Sequence, residues 1–161
     1  MVEAKNLKKR GSYLVKKSSP DEYLKLSEIA LISKAYWGYS EDLIDLWKSE
    51  LIVSSKMIEN FISYTAFYND EIVGFWLREP IEDISDGRFF IHPRHIKKGC
   101  GRLLWQAVMK EASRRKIKKF VFETDKFALG FYEKMGGRLV KYIDSSYIKG
   151  LKLPIVEVIV D

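Results

Sequence analysis

Apolar and polar positions change their spacing along the chain, and these changes predict the order of the secondary-structure elements. Residues 12–17 have the composition of a short first strand. Apolar residues then recur at helical spacing in two segments; the first runs from the capping sequence Ser19-Pro20-Asp21-Glu22 to about Ala35, and the second follows Ser40. The residues expected on the buried face of the first helix are Leu26, Ile29, Ala30 and Ile32.

From Phe61 the spacing becomes that of strands and then alternates between helix and strand. Three successive strands are predicted at 61–68, 71–77 and 84–92, with Asn69-Asp70 as a tight turn. The later predicted elements are a helix at 101–116, a strand at 118–124, a helix at 127–135, and closing strands at 138–143 and 154–160. The order β-α-α-β-β-β-α-β-α-β-β predicts an α/β (α+β) fold, in which a mixed, mainly antiparallel central sheet is flanked by helices.

The composition restricts the class of protein. A chain of 161 residues with 47% hydrophobic residues is expected to form one globular domain, at residues 12–161, after a basic tail at residues 1–11. Cys100 is the only cysteine, which excludes a disulfide scaffold. The sequence has no apolar run of membrane-span length and no signal-peptide pattern, so we expect no membrane association and a cytoplasmic location.

The formal net charge of +6 is concentrated in short clusters of lysine and arginine. Such clusters bind nucleic acid, an acidic membrane or a phosphorylated small ligand, or they simply keep the surface solvated. A nucleic-acid-associated basic protein is the third and least favoured hypothesis, because the aromatic residues that would stack on bases occupy predicted core positions. Lys97-Lys98 differs from the other clusters because it precedes the start of a glycine-containing helix.

The segment with the clearest chemistry joins a strand, a loop and the start of a helix. Phe89-Phe90-Ile91-His92-Pro93 ends the strand, and Gly99-Cys100-Gly101 begins the helix. The first amides of a helix have no partner within it and carry partial positive charge, and glycine lets a ligand approach them. With Lys97, Lys98 and Arg102, they predict a site for a phosphate or pyrophosphate. The segment fits neither the P-loop nor the dinucleotide-binding pattern.

This segment resembles the signature of the GNAT superfamily of N-acetyltransferases. The family's apolar-x-Pro strand end and its [R/Q]-x-x-G-x-[G/A] loop correspond to Ile91-His92-Pro93 and Ile96-Lys97-Lys98-Gly99-Cys100-Gly101. Its F-Y-x-x-x-G helix corresponds to 131–136, and the S-K-A-x-W-G-Y segment of one subgroup corresponds to 33–39. The resemblance covers residues 12–160. It implies transfer of acetyl from acetyl-CoA, without a metal, to a primary amine of a small molecule or peptide by direct attack in a ternary complex.

The resemblance also implies roles for individual residues. The strand at 89–91 would separate from the strand at 120–123 and bind pantetheine through its backbone, and Tyr132 would be the general acid for the leaving thiolate. By their positions before the cofactor strand and in its partner strand, Asp86 or Glu123 would be the base that accepts the amine proton, or both are surface charges or pair within the sheet. The residues expected to bind the cofactor are Phe89, Phe90, Ile91, Lys97, Lys98, Gly99, Cys100, Gly101, Arg102, Asp125 and Phe131. Tyr36, Trp37 and Tyr39 would wall the acceptor pocket, or only pack the corner between the first two helices.

Several alternatives remain open from the sequence. Ile96 replaces the family's Arg or Gln and Asp125 replaces its Asn, which favours a CoA-binding module without catalysis as the second hypothesis. Cys100 at a helix N-terminus is either a nucleophile with a lowered pKa or a buried space-filler. His92 and His95 have no further His or Cys nearby, so no metal site is expected. The apolar closing strand at 154–160 suggests pairing across a homodimer.

Overall fold

The computed structural model describes residues 12–161, and the basic tail predicted at residues 1–11 lies outside the described residues. Two antiparallel sheets form its centre. The first has the order β1-β2-β3-β4 and consists of Tyr13–Lys17, Ile62–Tyr68, Glu71–Arg78 and Gly87–Ile91. The second has the order β5-β7-β6; β5 is Lys119–Glu123, β6 is Arg138–Asp144 and β7 is Lys152–Ile159.

The helices pack on both faces of the first sheet. Those in residues 12–161 are α1 (Tyr23–Tyr36), α2 (Glu41–Leu51), α3 (Ser55–Asn60), α4 (Cys100–Arg114) and α5 (Leu129–Lys134). The side chains of α1 and α2 form one core with Phe75 and Leu77 of β3, whereas α4 packs on the other face around Trp76. This arrangement confirms the predicted fold class of a mainly antiparallel sheet flanked by helices.

The apolar spacing of each helix explains which face it buries. In α4 the residues Cys100, Leu104, Val108 and Ala112, four apart, are all fully buried. In α1 the buried face consists of Leu26, Ile29, Ala30 and Ser33. The prediction that Ile32 is buried is wrong, since its side chain is 37% exposed and the helical period brings Ser33 to the inner face instead.

The two sheets join at one parallel bridge, which lies just before β4. Ile84 pairs with Val121 of β5, and the amide of Ser85 donates to the carbonyl of Val121 at 2.8 Å. Beyond this bridge no ladder connects β4 to β5 within the described part of the chain. The two strands therefore diverge toward their C-terminal ends, and the space between them is called the cleft below.

Several predicted boundaries shift for local reasons. The third strand was expected from Ile84, but residues 84 and 85 bond to β5, so β4 begins at Gly87. The helix expected from Phe127 begins at Leu129, because the side chain of Asp125 accepts from the Phe127 amide at 3.0 Å and holds a turn there. Ser55–Asn60 forms the separate short helix α3, whose N-cap is Ser54.

β7 lies in the middle of the second sheet. It pairs with β5 through Ile155–Ile159 and with β6 through Lys152–Glu157. Both of its edges are therefore occupied, and the expectation that the closing strand pairs across a dimer is wrong. A homodimer formed in another way stays a prediction.

Candidate functional site

The edge of β4 that faces the cleft has backbone groups outside the β3–β4 ladder. The amide of His92 donates to the Val73 carbonyl at 2.7 Å, and the Glu79 amide donates to the Asp86 carbonyl at 2.8 Å. Because antiparallel pairing alternates along a strand, these bonds direct the backbone of Phe89 and Ile91 away from β3. The Ser33 hydroxyl of α1 donates to one lone pair of the Ile91 carbonyl at 2.8 Å.

The opposite wall of the cleft is β5. The amide of Thr124 donates to the Pro154 carbonyl of the second sheet at 2.9 Å, so by alternation the backbone of Glu123 faces the cleft. Burial raises the pKa of the Glu123 carboxyl, the nearby Glu50 raises it further, and Lys34 acts in the opposite direction. The net raised pKa makes Glu123 a better proton acceptor near neutral pH than an ordinary surface glutamate.

A loop with positive charge lies at the end of β4. Gly99 caps α4 with a left-handed φ of +89°, and a Cβ there would meet no atom within 4 Å, so the space beside it is open. The amides of the first helical turn have no acceptor inside the helix. Lys97, Lys98 and Arg102 are exposed and form no ion pair with the carboxylates of residues 12–161.

The first turn of α4 also contacts the cleft walls. A Cβ on Gly101 would lie 3.2 Å from Cε2 of Phe131 and 3.6 Å from Cζ of Phe89, so β4, α4 and α5 meet at this point. Phe90 points the other way: its backbone pairs with Phe75 of β3 and its ring joins the core under α1. The predicted role of Phe90 in binding the cofactor stays a prediction, and its ring lies on the α1 side of the sheet.

Cys100 is fully buried beneath the same turn. Burial raises the pKa of its thiol to about 12, although a helix N-terminus alone would lower it. A thiol with this pKa is almost entirely protonated at neutral pH. The structure thus favours the space-filling interpretation of Cys100 over the nucleophile, while its backbone amide still belongs to the positively charged loop.

Tyr132 lies on α5 among the rings of Trp76, Trp105 and Phe122 and is 4% exposed. Its hydroxyl lies near the side chain of Thr124, which directly follows β5. Burial raises the pKa of the phenol to about 12, against lowering effects of Arg78 and Thr124. Tyr132 consequently stays protonated at neutral pH and can donate a hydrogen bond at the base of the cleft.

Asp86, the other predicted base, lies in the connection between β3 and β4. Its carboxylate is 2.6 Å from the Nη1 of Arg88, a side chain that is only 8% exposed. The Asp86 carboxylate is therefore already engaged by a side chain of the protein itself. Between the two predicted bases, the structure therefore favours Glu123.

Asp125 does not face the cleft as a free carboxylate. Its Oδ2 accepts from Lys34 Nζ at 2.7 Å and from the Tyr39 hydroxyl at 2.8 Å, and its Oδ1 accepts from the Phe127 amide. Burial alone would raise the pKa of Asp125, but the charge of Lys34 and these hydrogen bonds lower it below the usual value. The negative charge that replaces the family's Asn is thus compensated within the protein.

The aromatic loop after α1 packs against the segment that follows β5. Trp37 stacks on Phe127 with ring centroids 4.9 Å apart and an interplanar angle of 5°, and Tyr36 contacts Trp37 edge-on. Tyr39 packs edge-on against Trp47 of α2 at 4.8 Å. Tyr36 is 56% exposed and Trp37 is 37% exposed, so these two rings keep surface free, whereas Tyr39 mainly packs the helix corner.

Sequence reasoning missed some residues at this site. Lys34 belongs to the S-K-A-Y-W-G-Y segment at 33–39. Its position just before the aromatic loop is the sequence signal that could have identified it as a site residue. Arg78 is the last residue of the strand E-I-V-G-F-W-L-R. A charged residue at the end of such an apolar strand is a sequence signal for a buried functional charge. Glu50 accepts a hydrogen bond from the Tyr147 hydroxyl at 2.7 Å, a contact across 97 positions that no local pattern predicts.

Comparison with known proteins agrees with this geometry. The family model described as an acetyltransferase (GNAT) domain matches residues 39–142, which is more than half of the chain. The chain therefore belongs to the GNAT acetyltransferase family, as the sequence motifs predict. No curated protein sequence matches it significantly.

Solved structures show the same fold at low sequence identity. The PaiA N-acetyltransferase of Thermoplasma acidophilum, in complex with coenzyme A, has a TM-score of 0.74 and 20% identity, covering 91% of this chain and 98% of that one. The ribosomal-protein-S18-alanine N-acetyltransferase of Escherichia coli has a TM-score of 0.69 and 14% identity, with 92% and 94% covered. YncA of Salmonella typhimurium, with its cofactor acetyl-CoA, has a TM-score of 0.68 and 14% identity, with 93% and 95% covered.

Two further observations concern metals and membranes. Among residues 12–161, no group of three or more His, Cys, Asp and Glu side chains is arranged to hold a metal ion. Over the same residues, no helix has the length and apolarity needed to cross a bilayer. The cytoplasmic location stays a prediction.

Proposed function

We propose that this GNAT protein transfers acetyl from acetyl-CoA to a primary amine of a small molecule or peptide. The observation that carries the proposal is the free edge of β4 beside the open, positively charged start of α4. A strand edge offers amides and carbonyls to an extended ligand, and the helix start offers amides and cations to phosphates. One continuous surface therefore fits both the pantetheine arm and the pyrophosphate of coenzyme A.

The residues around the cofactor fit this division of roles. Phe89 and Ile91 would bond the pantetheine arm through their backbone, and the amides of residues 97–102 would hold the pyrophosphate. Gly99 leaves room for the phosphates, and Lys97, Lys98 and Arg102 supply positive charge that no carboxylate of residues 12–161 pairs with. Ile96 removes one side-chain contact of the family pattern, and the backbone donors compensate for it. Asp125 acts as an anchor for Lys34 and Tyr39 rather than as a direct cofactor ligand.

Bound acetyl-CoA supplies the thioester from which the acyl group passes to the amine. Glu123 would accept the amine proton, directly or through water, because its carboxyl at the end of β5 has a raised pKa. Tyr132 would donate a hydrogen bond to the departing sulfur. A phenol with a pKa of about 12 gives its proton to a thiolate of pKa about 8.5 only at a cost of roughly 5 kcal/mol, so hydrogen-bond donation is favoured over full transfer.

The exposed rings of Tyr36 and Trp37 would form one wall for the acceptor. They lie beside Phe127, close in sequence to the β5 wall that carries Glu123. An aromatic wall attracts an ammonium group through its ring face, and a carboxylate nearby then removes the proton.

The test is acetyl transfer measured as release of the coenzyme A thiol, over a panel of small amines and peptides with free amino groups. We expect turnover with at least one amine and a decrease in kcat of roughly 10²-fold in Tyr132→Phe. Tyr142→Phe is the matched control, because Tyr142 is an exposed tyrosine on β6. Acetyl-CoA binding without turnover across the panel would contradict the proposal and favour the CoA-binding module.

A further inference from the structure

Arg78 is a buried guanidinium at the point where the two sheets separate. The residue is 3% exposed, and its Nη1 donates to the Ser85 carbonyl at 3.2 Å, next to the parallel bridge at the base of the cleft. Its Nε is buried and has no hydrogen-bond partner among the described residues. A buried cation with one carbonyl partner costs free energy unless an anion or a polar group offsets it, which indicates a role beyond packing.

The surroundings of Arg78 leave its charge only partly compensated. The charged and titratable groups that act on it are Glu79 after β3, Asp86 and Arg88 at the start of β4, and Tyr132 on α5. The Asp86 carboxylate bonds directly to Arg88, on the neighbouring strand. No carboxylate of residues 12–161 forms an ion pair with Arg78 itself.

The chain makes room for the guanidinium beside the proposed hydrogen-bond donor. A Cβ on Gly87 would lie 2.4 Å from Cζ of Arg78, so only glycine fits opposite it on β4. Cζ of Arg78 is 4.0 Å from the ring centroid of Phe122, and the Phe122 ring is 4.9 Å from that of Tyr132. The guanidinium and the phenol thus contact the same ring at the base of the cleft.

We propose that Arg78 is a positioning residue for acyl transfer, whose buried charge acts through Tyr132 to favour the negative charge on the departing sulfur. This inference rests on the proposed function. In that reaction the amine nitrogen bonds to the acyl carbon, the carbon–sulfur bond breaks, and its electron pair stays on sulfur. The amine proton leaves through Glu123 or water. The positive field of Arg78 polarises the phenol, which then donates a stronger hydrogen bond to the sulfur.

The same field acts on coenzyme A itself, which provides a test that does not depend on turnover. The thiol of coenzyme A bound to the protein is titrated by the ultraviolet absorbance of its thiolate. We expect the bound thiol to have a pKa below the value of about 8.5 of a free thiol. In Arg78→Met it should rise by about one pH unit, a tenfold change, with unchanged coenzyme A affinity at a pH where the thiol is protonated.

Arg88→Met is the matched control. It also removes a buried guanidinium from the first sheet, but the guanidinium of Arg88 pairs with Asp86. It should leave the thiol pKa at the wild-type value. In a Tyr132→Phe background, Arg78→Met should have no further effect on the thiol. Arg78→Lys, which retains the charge, should keep most of the lowered pKa. If Arg78→Met does not fold, Arg78→Gln replaces it, because glutamine removes the charge, keeps an N–H donor for the Ser85 carbonyl and should raise the thiol pKa to the same extent.

The outcomes separate the two claims. A wild-type protein that binds coenzyme A with an unshifted thiol pKa overturns the role of Arg78 and leaves the proposed function standing. Equal shifts in Arg78→Met and Arg88→Met would show a general packing effect, which also overturns it. A folded wild-type protein that does not bind coenzyme A refutes the proposed function, and the role of Arg78 with it.

Discussion

Nζ of Lys34 lies 2.7 Å from Oδ2 of Asp125, and this ion pair joins α1, which packs on the first sheet, to the segment that follows β5. The side chains are 16% and 15% exposed, so solvent screens the pair only in part. Apart from the bridge at Val121, β4 and β5 share no ladder in the described chain. The pair is therefore a polar link between α1 and the segment that extends the β5 wall of the cleft.

Lys34→Met should lower the free energy of unfolding by roughly 1–3 kcal/mol, because it leaves the Asp125 carboxylate without its cation. Asp125→Asn keeps an acceptor for the Tyr39 hydroxyl and should cost less. The double variant should be more stable than Lys34→Met alone, since it removes the uncompensated charge. Urea denaturation of the four proteins measures these differences, and additive effects of the two substitutions would contradict the link.

Glu123 should control the pH dependence of acetyl transfer. Because its pKa is raised, the carboxyl becomes protonated at a higher pH than an ordinary glutamate, and kcat/KM should fall as the pH decreases through that pKa. Glu123→Gln should lower the rate at neutral pH and remove this acid limb. Asp86→Asn is the control and should retain the limb, so a limb that disappears only in Asp86→Asn would identify Asp86 as the base.

Cys100→Ala should keep its activity. The thiol is fully buried with a pKa of about 12, and its removal should cost only ~1 kcal/mol of stability through a small cavity. Steady-state kinetics should show a kcat close to the wild-type value. Mass spectrometry of the wild type after incubation with acetyl-CoA should show no acetylated Cys100. An acetyl adduct on Cys100, together with loss of activity in Cys100→Ala, would show that Cys100 is a nucleophile.

The predicted elements follow from local spacing, and the structure keeps most of them. The apolar spacing at residues 101–116 predicts a helix with one buried face, and Leu104, Val108 and Ala112 are fully buried in α4. The positively charged loop was also predictable, because Gly99, Lys97 and Lys98 are adjacent in sequence. Local patterns carry such features since the interacting groups lie within a few residues of one another.

The contacts that connect distant parts of the chain were not predictable in the same way. Asp125 matched a family position for the cofactor, but its partners Lys34 and Tyr39 lie more than eighty residues away, and no local pattern pairs them. The apolarity of Ile32 predicts a buried side chain, but Ser33 is buried in its place. The Ser33 hydroxyl donates a hydrogen bond to the Ile91 carbonyl of the sheet beneath α1. Such choices depend on the tertiary partner rather than on the apolarity of the residue.

Glu111 should make the stability of the protein depend on acid pH. Hydrogen bonds from Arg114 and Arg115 lower its pKa to about 2, despite the opposing effect of burial. The unfolded chain binds the proton near pH 4.3, so the contribution of Glu111 is complete above that pH and is lost as the pH falls from about 4.3 to about 2.

Glu111→Gln is the variant that tests this. Its melting temperature should lie below that of the wild type at pH 6, and the difference should shrink as the pH falls below about 4. Glu133→Gln, on α5, is a control at a glutamate that forms none of the ion pairs described in residues 12–161. A difference between wild type and Glu111→Gln that is independent of pH would contradict the role of the arginine pair.

The most direct test of the account is calorimetric binding of acetyl-CoA to the wild type and to Gly101→Glu. The glutamate would place a negative charge at the pyrophosphate position and crowd Phe131 and Phe89. Ser113→Glu is the control, since it adds the same charge about 18 Å away at the exposed end of α4. We predict binding in the micromolar range for the wild type and for Ser113→Glu, and a loss of at least tenfold in folded Gly101→Glu. Absence of binding by the folded wild type would contradict the account.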